Sequence, residues 1–220
     1  MGDHFPHCGY DMNMSDTILY MAGSDRLSAE DWVEASLQVL VEGGVAAVKI
    51  LPIAQRLGVT MGSFYWHFTS RSALLSRLLD TWEAKNTAAI VKTATAAGAL
   101  VDKYVALSRL WLGWSDFDPR LDVAVRDWGH RDAAVRKRLQ LADEERVAAL
   151  VAMIEPEGYD PVMARHRAYA LYCMQMGWYD GDEGAADGRG ESSVTYFEIF
   201  IGRAPSPAER AAIVAGHRSP

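Results

Sequence analysis

Ile53-Ala-Gln-Arg-Leu-Gly-Val-Thr-Met-Gly-Ser-Phe-Tyr-Trp-His-Phe68 reads as two short helices around a tight turn. Ala54 and Leu57 give the first helix an apolar side. Gly58 can adopt the left-handed conformation that stops a helix without a Cβ clash. Val59 returns the chain to the core, and Thr60 is placed to cap the next helix through its side-chain oxygen. Phe64 and Phe68, four residues apart, bury one face of that second helix. Ser63, Tyr65, Trp66 and His67 are left on the other face, short, polar and aromatic. A helix lying in a DNA groove has this character. The stretch is a helix-turn-helix.

The surrounding composition is that of a globular chain: 220 residues, 50% hydrophobic, with ordinary charge density. No apolar run approaches the ~20 residues that cross a bilayer, so no membrane partner is expected. Met1 to Ser24 lacks a basic start followed by an apolar block, so no secretory signal is evident and a cytoplasmic location is expected. Cys8 and Cys173 give neither a disulfide framework nor a paired zinc motif.

A formal net charge of −7 argues at first against a nucleic-acid binder. The distribution matters more than the sum. Asp25, Glu30, Asp31, Glu34 and Glu42 all precede Gly43, whereas Gly43 to Arg77 holds no acid and carries Lys49, Arg56, Arg71 and Arg77. That acid-free window contains the helix-turn-helix. Overall acidity suppresses indiscriminate DNA binding, while a local positive window can dock a phosphate backbone.

The rest of the chain keeps a helical period with little strand alternation, which predicts an all-α fold. Residues 1–24 are expected as a flexible arm, 25–72 as a helix-turn-helix domain, and 73–220 as a larger helical domain. The predicted helices are Ser28 to Glu42, Ile50 to Leu57, Met61 to His67, and a long one capped by Ser70. Pro52 is tolerable only in the first turn of its helix. Further helices are predicted over Gly98 to Trp114, Pro119 to Trp128, Asp132 to Glu155, Pro161 to Tyr179 and Ser192 to Ile201. A short tail helix follows Pro207, Gly129 marks an interruption, and Asp180 to Gly190 is a loop.

Leu27 to Leu79 resembles the N-terminal domain of the tetracycline-repressor (TetR) family of transcriptional regulators. The likeness rests on Gly43-Gly44, Ile53-Ala54, Leu57-Gly58-Val59, Gly62-Ser63-Phe64-Tyr65-Trp66-His67-Phe68, Arg71 and Ala73-Leu74-Leu75. It implies a homodimer whose recognition helices enter successive major grooves of a near-palindromic double-stranded operator. It also implies a ligand domain whose small-molecule effector releases the DNA. By this likeness Tyr65 and His67 contact phosphates or bases, and Arg71 stands where the family has a phosphate-binding Lys. Met61 and Ser63 face the groove, and Gly62 allows close backbone approach. Thr60 and Trp66 are further candidates for DNA contact, Trp66 with packing against a neighbouring helix as its alternative. The helix before the turn departs from the pattern, reading Lys49-Ile50-Leu51-Pro52. Lys49 can meet a phosphate, but Ile50 and Leu51 can offer only thymine-methyl contacts.

The second domain is rich in large side chains. Trp111, Trp114 and Trp128 gather around the junction between two predicted helices, where family pockets lie, with Arg109, Arg126 and Asp127 as polar neighbours. They are candidates to line an apolar pocket with a few fixed polar groups, suited to a planar or hydrophobic effector. The alternative is that they serve the core. Family likeness further implies a dimer interface on the last two long helices, through Tyr169, Tyr172, Cys173, Met176, Phe197 and Phe200.

Enzyme chemistry finds no support: there is no phosphate-cradling Gly loop, nucleophile elbow or His-Glu metal pair on a helix. No cofactor or metal site is expected. Asp180, Asp182 and Glu191 mimic three positions of a calcium loop, but Gly184 and Ala185 stand where a ligand and a turn glycine belong. His4, His7 and Cys8 form no rigid ligand set. The competing reading is a protein-interaction module with a vestigial helix-turn-helix, favoured by Ile50, Leu51 and the net acidity.

Overall fold

Ser28 opens the first helix with a reciprocal cap. Its hydroxyl accepts from the Asp31 N–H at 3.2 Å, and the Asp31 carboxylate accepts from the Ser28 N–H at 2.6 Å. The computed structural model describes residues 27–112, 117–180 and 189–217, and every regular element within them is helical. The first four helices are α1 (Ala29–Gly43), α2 (Ile50–Arg56), α3 (Met61–Phe64) and α4 (Arg71–Trp82). A π-helical stretch, Glu83–Thr87, carries α4 without a break into α5 (Ala88–Thr95). Then come α6 (Leu100–Trp111), α7 (Pro119–Arg131), α8 (Ala133–Ile154), α9 (Pro161–Asp180), α10 (Arg189–Ile201) and α11 (Pro207–Gly216).

Side-chain caps mark most starts. Ser70 accepts from the Ala73 N–H at 3.1 Å, Asp118 and Asp132 cap α7 and α8, and Ser206 forms a capping box with Glu209. Thr60, expected to cap α3, makes no capping hydrogen bond through its side chain. The recognition helix is also shorter than its pattern suggests. Regular helix ends at Phe64, and Tyr65 to His67 continue in tighter turns, with Trp66 N–H bonded to Ser63 O at 3.3 Å.

Gly129 does not interrupt α7, which runs on to Arg131. Its missing Cβ serves packing, because a β-carbon there would overlap the Leu139 side chain of α8.

Two cores organise the molecule. The first joins Trp32, Leu40, Ile53, Phe64, Leu74, Leu78 and Trp82 to Leu121, Val125 and Trp128 of α7 and to Leu139 of α8. The second gathers Ile90, Tyr104, Leu107, Leu150, Leu171, Phe197 and Ile213. The expected boundary at residues 72 and 73 therefore falls inside α4, whose apolar face packs on the helices before it. Helix α8 packs against α5, α7 and α9 and takes part in both cores. No described helix is long and apolar enough to cross a membrane.

Candidate nucleic-acid interface and effector domain

The turn between α2 and α3 is closed by backbone geometry. Gly58, at φ +69°, donates to Gln55 O at 3.1 Å, and Val59 donates to Ala54 O at 3.0 Å. This pair of bonds is the Schellman arrangement, which satisfies the last carbonyls of α2 and fixes the exit angle of the chain. Beyond it Phe64 locks the second helix inward. Its ring meets Trp32 edge-on at 5.3 Å and stacks on Phe68 at 5.4 Å.

With those rings committed to the core, their neighbours face solvent. Trp66 is 88% exposed and Tyr65 57% exposed, the latter resting edge-on against Phe64 at 5.2 Å. His67, Thr60, Met61 and Gly62 are exposed, and Ser63 is half-buried. Lys49 is exposed at the N-terminal end of α2, with no carboxylate partner among the described residues. Exposed Leu51 and Met61 add apolar surface to the same helix-turn-helix. Exposing a tryptophan this fully costs hydrophobic burial, and the surface is rigid because its backing rings are buried.

The other cations of the acid-free window are already engaged. Arg71 donates from Nε to Val48 O at 2.5 Å and from Nη2 to Val45 O at 2.7 Å. It therefore ties the α1–α2 loop to the start of α4, a positioning role that its place in the motif did not suggest. Arg56 makes a two-pronged bridge to Glu42, at 2.8 and 3.0 Å, and reaches Gln38. That pairing holds the Glu42 carboxyl below its usual range. Arg77 lies 3.2 Å from Glu30. Acids that precede the window in sequence thus return to it in space, because α1 packs beside α2 and α4.

The pocket candidates separate. Trp128 belongs to the first core. Arg126 is spent on a network: it meets Asp122 at 3.1 Å, Asp143 at 2.7 Å and the Tyr172 hydroxyl at 2.7 Å. Arg109 donates to Gly216 O at 2.9 Å, tying α6 to α11. Trp111 lines a small cavity with Tyr104, Ser108, Met174, Gln175, Ser193 and Tyr196. Trp114 lies outside the described residues, as do His4, His7, Cys8 and most of the Asp180 to Gly190 loop.

The interface candidates divide in the same way. Tyr172, Phe197 and Phe200 are buried within the chain's own second core. Cys173 and Met176 are half-buried, and only Tyr169 stands well exposed. Sequence periodicity could not distinguish the two faces of α9, since both are apolar. Val162, Met163 and Ile199, not singled out by their sequence, join Tyr169 as exposed apolar side chains on α9 and α10.

Sequence reading also missed a buried charged cluster. Arg146 and Asp122 are both fully buried and 2.9 Å apart, with Trp82 Nε1 donating to the same carboxylate at 2.8 Å. Arg146 further meets Thr87 at 3.1 Å and Tyr172 at 3.1 Å. Burial opposes ionisation of Asp122, yet Arg146 and Arg126 beside it hold its carboxyl below the usual range. A signal existed: Arg146 sits at helical spacing between Ala142 and Leu150, a stripe that otherwise buries apolar groups.

An all-helical chain with an N-terminal helix-turn-helix and a larger helical domain is the class that this geometry defines. Residues 33–78 match the family model described as bacterial regulatory proteins, tetR family. The chain is 39% identical over 49 residues to the HTH-type transcriptional regulator TtgR of Pseudomonas putida, spanning 22% of this chain and 23% of that protein. It is 36% identical over 61 residues to the class A tetracycline repressor protein from transposon 1721 of Escherichia coli, 28% of each chain. These alignments cover about a quarter of each relative. Among solved structures, Salmonella enterica GusR superposes with a TM-score of 0.62 at 21% identity, over 81% of this chain and 98% of that one. A transcriptional regulator from Rhodococcus sp. Rha1 gives 0.58 at 18% identity, over 88% and 100%. At such identities the likeness extends the shared fold to the second domain and no further.

Proposed function

We propose that the protein is a ligand-responsive DNA-binding transcriptional regulator, a repressor released from a near-palindromic operator by a small hydrophobic or aromatic effector. The observation that carries this reading is the surface of Tyr65, Trp66 and His67, exposed on a turn whose backing rings are buried. Side chains of this kind position a helix on the phosphate backbone, and Ser63, Met61 and Lys49 lie beside them for base or phosphate contact. The exposed apolar side chains Val162, Met163, Tyr169 and Ile199 support a homodimer built on α9 and α10. In such a dimer the two recognition segments stand about 34–36 Å apart to meet successive major grooves. The effector acts by population shift, binding the DNA-incompetent spacing more tightly than the competent one. Regulation of this kind takes place in the cytoplasm, without catalysis by this chain.

A second reading, a protein-interaction module with a vestigial helix-turn-helix, gains from one observation. Arg56, Arg71 and Arg77 are engaged internally, and exposed Leu51 and Met61 are apolar. Selection from random duplexes separates the two. A regulator enriches a near-palindromic sequence, whereas a vestigial domain enriches nothing beyond bulk DNA.

A further inference from the structure

The cavity lined by Trp111 holds a buried indole donor that meets no acceptor among the described residues. Trp111 is only 7% exposed, and its indole N–H has no hydrogen-bond partner there. The hydroxyls of the wall are committed: Tyr104 donates to Ser193 O at 2.9 Å, Ser108 donates to Tyr104 O at 2.9 Å, and the Ser193 hydroxyl meets His217 Nε2 at 2.8 Å. The remaining lining is the rings of Trp111, Tyr104 and Tyr196, the thioether of Met174 and the neutral amide of Gln175, with no charged residue. An indole N–H can only donate, and leaving it buried without an acceptor costs free energy that an entering acceptor recovers.

The space is about 20 Å³, room for little more than one water molecule. Anything larger enters only when α9 or α10 moves away from α6. That smallness supplies what a switch requires, because a ligand that fits one arrangement and not the other shifts the balance between them. Helix α9 has a direct line to the helix-turn-helix. Two residues before Met174, the Tyr172 hydroxyl donates to Asp143 at 2.5 Å and accepts from Arg126 and Arg146. Arg146 and Trp82 share the Asp122 carboxylate, and Trp82 ends the helix that carries the DNA-facing domain.

We propose that a small, neutral, planar molecule with one hydrogen-bond acceptor binds between α6, α9 and α10, its acceptor on Trp111 Nε1, and displaces α9. The site and ligand chemistry stand by themselves; the consequence for DNA rests on the regulatory reading above. Acetophenone is a suitable probe, with ethylbenzene as its counterpart lacking an acceptor. In ¹H–¹⁵N spectra of the full chain without DNA, acetophenone should move the Trp111 indole resonance, identified by its loss in Trp111→Phe. Ethylbenzene should bind about fivefold more weakly, and Trp111→Phe should erase that preference. Should Trp111→Phe not fold, Met174→Trp, which fills the same space, must abolish the shift. An unmoved resonance up to the solubility limit of the probe overturns the site. So does a shift that survives Met174→Trp. Because no DNA is present, failure of operator binding leaves this result standing. Binding that does not weaken operator affinity in a separate gel shift overturns the coupling through α9.

Discussion

Arg146 and Asp122 form a two-pronged ion pair, 2.9 and 3.2 Å, in which neither side chain reaches solvent. The pair joins α8 to α7 where α4 passes into its π-helical stretch, and the Arg146 guanidinium lies 5.0 Å above the Trp82 ring. Desolvating two charges is offset only when every prong has a partner, and here Trp82, Thr87, Arg126 and Tyr172 supply the remainder.

Removing one partner should therefore be severe. Asp122→Ala is expected to lower stability by about 3–5 kcal/mol in urea unfolding, because Arg146 is left buried and uncompensated. Asp122→Leu combined with Arg146→Met should recover much of that loss. A single substitution costing under ~1 kcal/mol would show that the pair is already solvated. The depressed Asp122 carboxyl also stabilises the fold above its unfolded pKa, about 3.9, and that contribution disappears as pH falls through the lower folded value.

The close approach of α7 and α8 gives a steric prediction. Gly129→Ala places a methyl group on Leu139, and should cost about 1–3 kcal/mol by overpacking. Leu139→Ala in the same chain should relieve part of the clash. Additive losses in the double variant would contradict the contact.

His217 predicts a pH response near neutrality. Burial, more than the nearby Arg109, lowers its pKa, and its ring bridges the Ser193 hydroxyl at 2.8 Å to Ile213 O at 2.7 Å. The folded state thus favours neutral imidazole, while the unfolded chain binds a proton near 6.5. Stability contributed by this group is complete above about 6.5 and declines as pH falls towards the lower folded value. Thermal melts between pH 7.5 and 5 should show the decline, and His217→Gln should flatten it. A parallel slope in the variant would assign the effect elsewhere.

Arg71 and Tyr65 should behave differently although they share one motif. Tyr65→Ala removes an exposed side chain, so operator affinity should drop about tenfold with the melting temperature almost unchanged. Arg71→Ala frees the Val45 and Val48 carbonyls, so it should cost about 1–3 kcal/mol of stability. Its salt dependence of DNA binding should match the parent, because no phosphate contact is lost. A reduced salt slope would return Arg71 to the phosphate backbone.

The sequence by itself determined the helix-turn-helix, since its signals are local. Gly58 stops one helix, Phe64 and Phe68 four residues apart orient the next, and their neighbours are thereby forced outward. Helix starts at Ser28, Ser70 and Pro119 were equally legible, because capping acts within a single turn. What only the tertiary structure decided depends on which helices become neighbours. It placed Glu42 beside Arg56 and Glu30 beside Arg77, which drew charge out of an apparently basic window. It sent Trp128 to the first core, gave Tyr172 and Phe197 to the second, and spent Arg126 on carboxylates. Periodicity marks a face as apolar without naming what covers it, and a buried arginine becomes readable only when its carboxylate arrives from another helix.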